Sequence, residues 1–70
     1  MPEDLDQERI GTVGRVSVPI TKHRMGEVIV AVRGGTEAYG ACADEAIPKN
    51  SRVVVVERLS GRTLSVTPCP

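Results

Sequence analysis

Phenylalanine and tryptophan are absent from this 70-residue chain, and Tyr39 is its only aromatic residue. A core must therefore be assembled from Val, Ile, Leu and Ala, whose small branched side chains suit the narrow interior of a closed β-barrel. The same scarcity argues against a single-stranded nucleic-acid site, which needs stacking platforms as well as positive charge. Cysteine and histidine are equally sparse. Cys42, Cys69 and His23 do not stand at the short spacings a metal site requires, so no metal or other cofactor is expected. Two cysteines permit one disulfide, and the reduced form is the expected one. No run approaches the roughly 20 apolar residues that cross a bilayer, and the acidic N-terminus lacks the apolar stretch of a signal peptide. The chain as given reads as soluble.

Charge of one sign is also missing, with nine basic residues balanced by nine acidic ones. The balance is uneven along the chain. Residues 1 to 8 carry Glu3, Asp4, Asp6 and Glu8 and no basic residue, leaving nine basic against five acidic in the remainder, a net of +4. A nucleic-acid module is usually more basic and shows a clustered stripe. This excess matches an ordinary soluble surface.

What the chain does have is valine in alternation, punctuated by glycine and proline. Short β-branched runs with turn signals between them indicate a small all-β barrel or sandwich of one domain. Residues 1–9 read as a flexible acidic tail or linker remnant and residues 10–68 as the domain. The first strand is expected from Ile10 to Val18, with Val16 and Val18 on a buried face and with Gly11 and Gly14 at a bend or bulge. Ile20 to Gly26 reads as an exposed loop after Pro19. The second strand, Glu27 to Arg33, places Val28, Val30 and Val32 on one side and Ile29 and Ala31 on the other, a pattern that suits cover on both faces. Gly34-Gly35 is a tight-turn signal, because both positions accept positive φ. The third strand is expected from Thr36 to Ala43, with Tyr39, Ala41 and Ala43 on one face. Ile47 plugs the core from the following connection, and Asn50 is a candidate for the left-handed region. Ser51 to Arg58 and Arg62 to Thr67 form a hairpin across Ser60-Gly61, with Leu64 and Val66 pointing inward.

With the strands placed, several stretches stand out together. They are Gly11-Thr12-Val13-Gly14-Arg15-Val16, Gly26-Glu27-Val28 continuing to Arg33-Gly34-Gly35-Thr36-Glu37-Ala38-Tyr39, Ile47-Pro48-Lys49 before the valine run, and Gly61-Arg62-Thr63-Leu64-Ser65-Val66-Thr67-Pro68. In order and spacing they resemble the C-terminal soluble domain of the NfeD-like family, over roughly residues 10 to 68. The resemblance implies an all-β fold, a small five-stranded OB-fold β-barrel. It also implies a soluble domain of a membrane-associated parent protein, whose longer members add a Clp-class serine protease domain, and stomatin- or flotillin-like (SPFH) partners. Two features depart from the family: the Thr21 to Met25 loop is longer than its usual short turn, and Asn50 replaces the glycine that follows Ile-Pro-Lys.

Lys22, His23 and Arg24 form the one basic cluster of the chain. They are candidates for recognising an acidic partner surface or anionic headgroups; a solvated loop is the ordinary alternative. Tyr39 is either an interface anchor, burying its ring against a partner while its hydroxyl stays paired, or the largest filler of an aliphatic core. Catalysis is not expected. Ser17, Ser51, Ser60 and Ser65 lie outside any nucleophile-elbow sequence, and His23 is the single histidine. Asp44 and Glu45 are adjacent on a turn and do not naturally flank one substrate atom. Gly34-Gly35 lacks the Lys-Ser/Thr pair and helix of a phosphate loop. No small-molecule substrate is expected, and a non-catalytic protein-interaction domain is the leading reading, with single-stranded nucleic-acid binding as the alternative.

Overall fold

Backbone ladders, antiparallel and parallel, close five strands into a barrel. The computed structural model describes residues 10–69. The expectation for residues 1–9 lies outside them. The strands are β1 (Val13–Val18), β2 (Gly26–Val32), β3 (Gly35–Cys42), β4 (Arg52–Ser60) and β5 (Thr63–Pro68). Their order around the barrel is β1-β2-β3-β5-β4, and β4 pairs back onto β1. All neighbours are antiparallel except β3 and β5, which run parallel from Gly40 opposite Thr63 to Cys42 opposite Ser65. This is the Greek-key arrangement of an OB-type barrel, the fold expected from the sequence. Closure leaves no continuous sheet edge to attract a foreign strand.

The interior is aliphatic. Val16, Ile20, Val28, Val30, Ala41, Ile47, Val53, Val55, Leu64 and Val66 are buried around the Tyr39 ring, and among the described residues no polar or charged side chain is buried with them. Alternation accounts for most of this. Val28 and Val30 point inward on β2, Val53 and Val55 on β4, and Leu64 and Val66 on β5, because side chains two apart on a strand share a face. Gly14 sits on the inner face of β1, where an added Cβ would meet the Ile29 carbonyl oxygen at 3.0 Å and Val30 Cγ2 at 3.3 Å. The missing side chain lets β1 and β2 approach closely.

Several expectations need correction. β1 begins at Val13, and Gly11 lies in a turn before it with φ +87°. The irregularity in β1 falls between Val16 and Val18, not at the glycines, and it turns Val18 outward to 47% exposure. A bulge adds one residue, so the side chains beyond it switch faces. Ile20, expected in an exposed loop, is 1% exposed. It pairs with Ile47 through two backbone hydrogen bonds, which draw both side chains into the end of the barrel. Finally, β2 is covered on one side only: Ala31 is exposed and Ile29 half-buried.

The turns obey their chemistry. Only Gly34 of the Gly34-Gly35 pair takes a positive φ, at 85°, and Gly35 already belongs to β3. Asn50 does adopt the left-handed region, at φ 75°, and thereby aims its N–H at the Val16 carbonyl oxygen, 2.7 Å away. The β4–β5 turn falls at Gly61-Arg62, one residue later than expected. Cys42 and Cys69 are both free thiols. Cys42 stands opposite Ser65, four residues before Cys69, about 13 Å along an extended chain. That separation is too great for a disulfide.

Candidate interaction surface

The Lys22–Arg24 cluster is held on a short, pinned turn. Thr21 and Arg24 exchange backbone hydrogen bonds of 3.0 and 3.3 Å, with Lys22 and His23 at the tip. The adjoining Ile20–Ile47 pair fixes the base of this turn to the barrel end. Neither tip residue needs a positive φ, so the closure carries no backbone strain. Lys22, His23 and Arg24 are all exposed, and the turn is flanked by two apolar shoulders, Val18 at 47% and Met25 at 52% exposure. Met25 lies over the outer face of β3, since a Cβ at Gly40 would stand 3.2 Å from its Sδ. The arrangement presents a basic tip with apolar sides on a backbone that loses little freedom when ordered by contact.

Tyr39 is placed differently from these three residues. It lies opposite Val28 on β2 and is 7% exposed, so its ring fills the core. Its hydroxyl donates to Glu37 Oε1 at 2.8 Å, and the Arg62 guanidinium lies 4.9 Å from the ring centroid. Arg62 also donates through Nη2 to the Ala38 carbonyl oxygen at 3.0 Å, with Nη1 3.9 Å from Glu37 Oε1. The turn and the tyrosine are thus separate features: one projects from the barrel end, the other is packed inside and roofed by Arg62. The sole aromatic ring offers no open face for stacking a base.

A partly open groove of about 300 Å³ lies along β5, lined by Asp44, Glu45, Val56 and the β5 stretch Ser65, Val66, Thr67 and Pro68. Among the described residues, no three His, Cys, Asp or Glu side chains stand together in a way that could hold a metal. Also among them, no helix is long and apolar enough to cross a membrane.

Reading residue by residue overlooks the pairings across β1 and β4. Arg15 and Arg52, scattered in the sequence, stand directly opposite each other, and Val13, Val56 and the half-buried Val54 share the same outer face. Alternation hints at the outward residues of each strand, but not at which strand lies beside which.

Comparison with known proteins agrees with the barrel. The family model described as the NfeD C-terminal domain matches residues 13–67. The soluble domain of the NfeD protein YuaF from Bacillus subtilis superposes with a TM-score of 0.77 at 31% identity, covering 94% of this chain and 79% of that one. The C-terminal domain of stomatin operon partner protein 1510-C from Pyrococcus horikoshii gives 0.73 at 30% identity, covering 93% and 94%. A search of the curated proteins found no match.

Proposed function

Because this chain belongs to the NfeD C-terminal domain family, we propose that it is a non-catalytic protein-interaction module of a membrane-associated parent protein, engaging a stomatin- or flotillin-like (SPFH) partner. The Pyrococcus horikoshii relative is described as a stomatin operon partner, which supports the partner class. The observation that carries the reading is the pinned turn from Thr21 to Arg24, with Lys22, His23 and Arg24 exposed between Val18 and Met25. A rigid basic tip with apolar shoulders matches an acidic partner surface that has an apolar centre. Tyr39 serves the fold, filling the core from β3. Direct contact with a partner is not asked of it.

The test is capture from detergent-solubilised membranes on the immobilised 70-residue chain, with a K22A/H23A/R24A variant and a single-stranded oligonucleotide competitor alongside. Enrichment of an SPFH protein that the oligonucleotide leaves intact and the variant loses supports the proposal and places the contact on the turn. Enrichment that survives the variant moves the contact elsewhere. Saturable oligonucleotide retention with no SPFH protein overturns the proposal in favour of nucleic-acid binding.

A further inference from the structure

The outer face of β1 and β4 carries an arrangement that the turn does not explain. Arg15 and Arg52 are Cα partners across the two strands, and both side chains are exposed. Like charges directly opposite one another destabilise a sheet. Neither arginine forms an ion pair among the described residues. Next along the strands comes an apolar row, with Val13 opposite Val54 and Val54 opposite Thr67. Val13 and the neighbouring Val56 are each 46% exposed. The row beyond contains Glu57, opposite Ser65. The irregularity between Val55 and Glu57 keeps Glu57 on the outer face, because Ser65 alternates with the buried Leu64 and Val66. Glu57 too lacks an ion-pair partner among the described residues.

Arg52 and Glu57 therefore lie two ladder rows to either side of Val54, about 7 Å each way. That spacing makes the face self-complementary. A two-fold axis lying in the face, along the Val13–Val54–Thr67 row, reverses the strand direction of the second copy. It brings Arg52 of each copy onto Glu57 of the other and stacks the valines between them. We propose that this face is the contact of a symmetric homodimer. An isologous interface requires such a patch, one that meets itself under a two-fold. Other occupants fit less well: an anionic surface attracted by Arg15 and Arg52 would meet Glu57 as well, and an acidic partner would be repelled by it. The valine strip is small, so the dimer belongs at the weak end of protein interfaces.

The test is sedimentation velocity on the full chain over a concentration series reaching the millimolar range, with R52E and E57R variants. Both positions are exposed, and circular dichroism and thermal melting check that the variants fold. Wild type is expected to shift from monomer towards dimer. Each variant alone is expected to raise the dissociation constant about tenfold or more, because the two-fold repeats every altered contact. An equimolar mixture of R52E and E57R is expected to recover association, since each glutamate then faces an arginine. A wild-type chain that stays monomeric, variants that dimerise unchanged, or a mixture no tighter than its components would overturn the proposal. Should either variant fail to fold, raised salt on the wild type decides: association that ignores ionic strength excludes the charge pairing.

Discussion

Ile20 and Ile47 exchange two backbone hydrogen bonds, of 3.0 and 2.8 Å, outside all five strands, and both side chains are buried. This pair seals one end of the barrel and forms the base on which the Thr21–Arg24 turn stands. It ties the fold to the proposed contact, because the turn begins at the residue after Ile20.

Ile47→Ala is expected to destabilise the domain by about 2–4 kcal/mol, through lost burial and the cavity left behind. In so small a domain each kcal/mol moves Tm by about 4–8 °C, so thermal melting reads the loss directly. Amide hydrogen exchange should speed up at Thr21 and Arg24 before the central strands are affected. Uniform acceleration would mean that the turn is not separately anchored.

Gly26 is fixed by space, not by φ. An added Cβ there would overlap the Val18 and Pro19 carbonyl oxygens and stand 2.7 Å from Ile20 Cγ1. Backbone oxygens cannot rotate aside, so Gly26→Ala is expected to cost about 2–3 kcal/mol or more through overpacking. Gly35 is the control. Nothing lies within 4 Å of its Cβ position and its φ is not positive. Gly35→Ala should be neutral or stabilise by up to about 1 kcal/mol. Urea unfolding of the two variants side by side checks the contrast.

Leu64 and Val66 are legible as inward residues from the sequence, and Val28 and Val30 as sharing one face, because period-two alternation is a local property of a strand. The unbroken valine run at 53–56 does not by itself show that Val53 and Val55 are its inward pair. Exposure of Lys22, His23 and Arg24 is legible for a local reason too, three polar side chains in a row between Pro19 and Gly26. Val18 and Ile20 are not legible, since a bulge after Val16 and a distant partner at Ile47 decide their faces. Neither is encoded within the segment itself. The Arg15–Arg52 opposition is of the same kind, requiring the register of strands far apart in the chain.

Asn50 is the one non-glycine residue among those described with a positive φ, and its N–H reaches Val16 in β1. Asn tolerates the left-handed region better than residues other than glycine. Asn50→Ala is expected to cost about 1–2 kcal/mol. Asn50→Gly should be close to neutral, because relief of strain is offset by a more flexible unfolded chain. Equilibrium unfolding distinguishes the two, and equal losses in both would point to a side-chain role for Asn50 instead.

Tyr39 separates packing from recognition. Its ring is buried while its hydroxyl bonds to Glu37, which is itself 43% exposed at the side chain. Tyr39→Phe keeps the ring, so it should cost only about 0.5–1 kcal/mol for a hydrogen bond in contact with solvent. Tyr39→Ala empties the largest volume in an otherwise aliphatic core and should cost about 3–5 kcal/mol, enough to unfold a domain of this size at moderate temperature. Arg62→Ala removes the cation above the ring, a contribution of about 0.5–1 kcal/mol at an exposed site. If Tyr39 served mainly as a partner anchor, Tyr39→Phe would impair capture while leaving the melting curve in place. The buried ring leads us to expect the reverse: capture intact with Phe, and with Ala lost only as folding is lost.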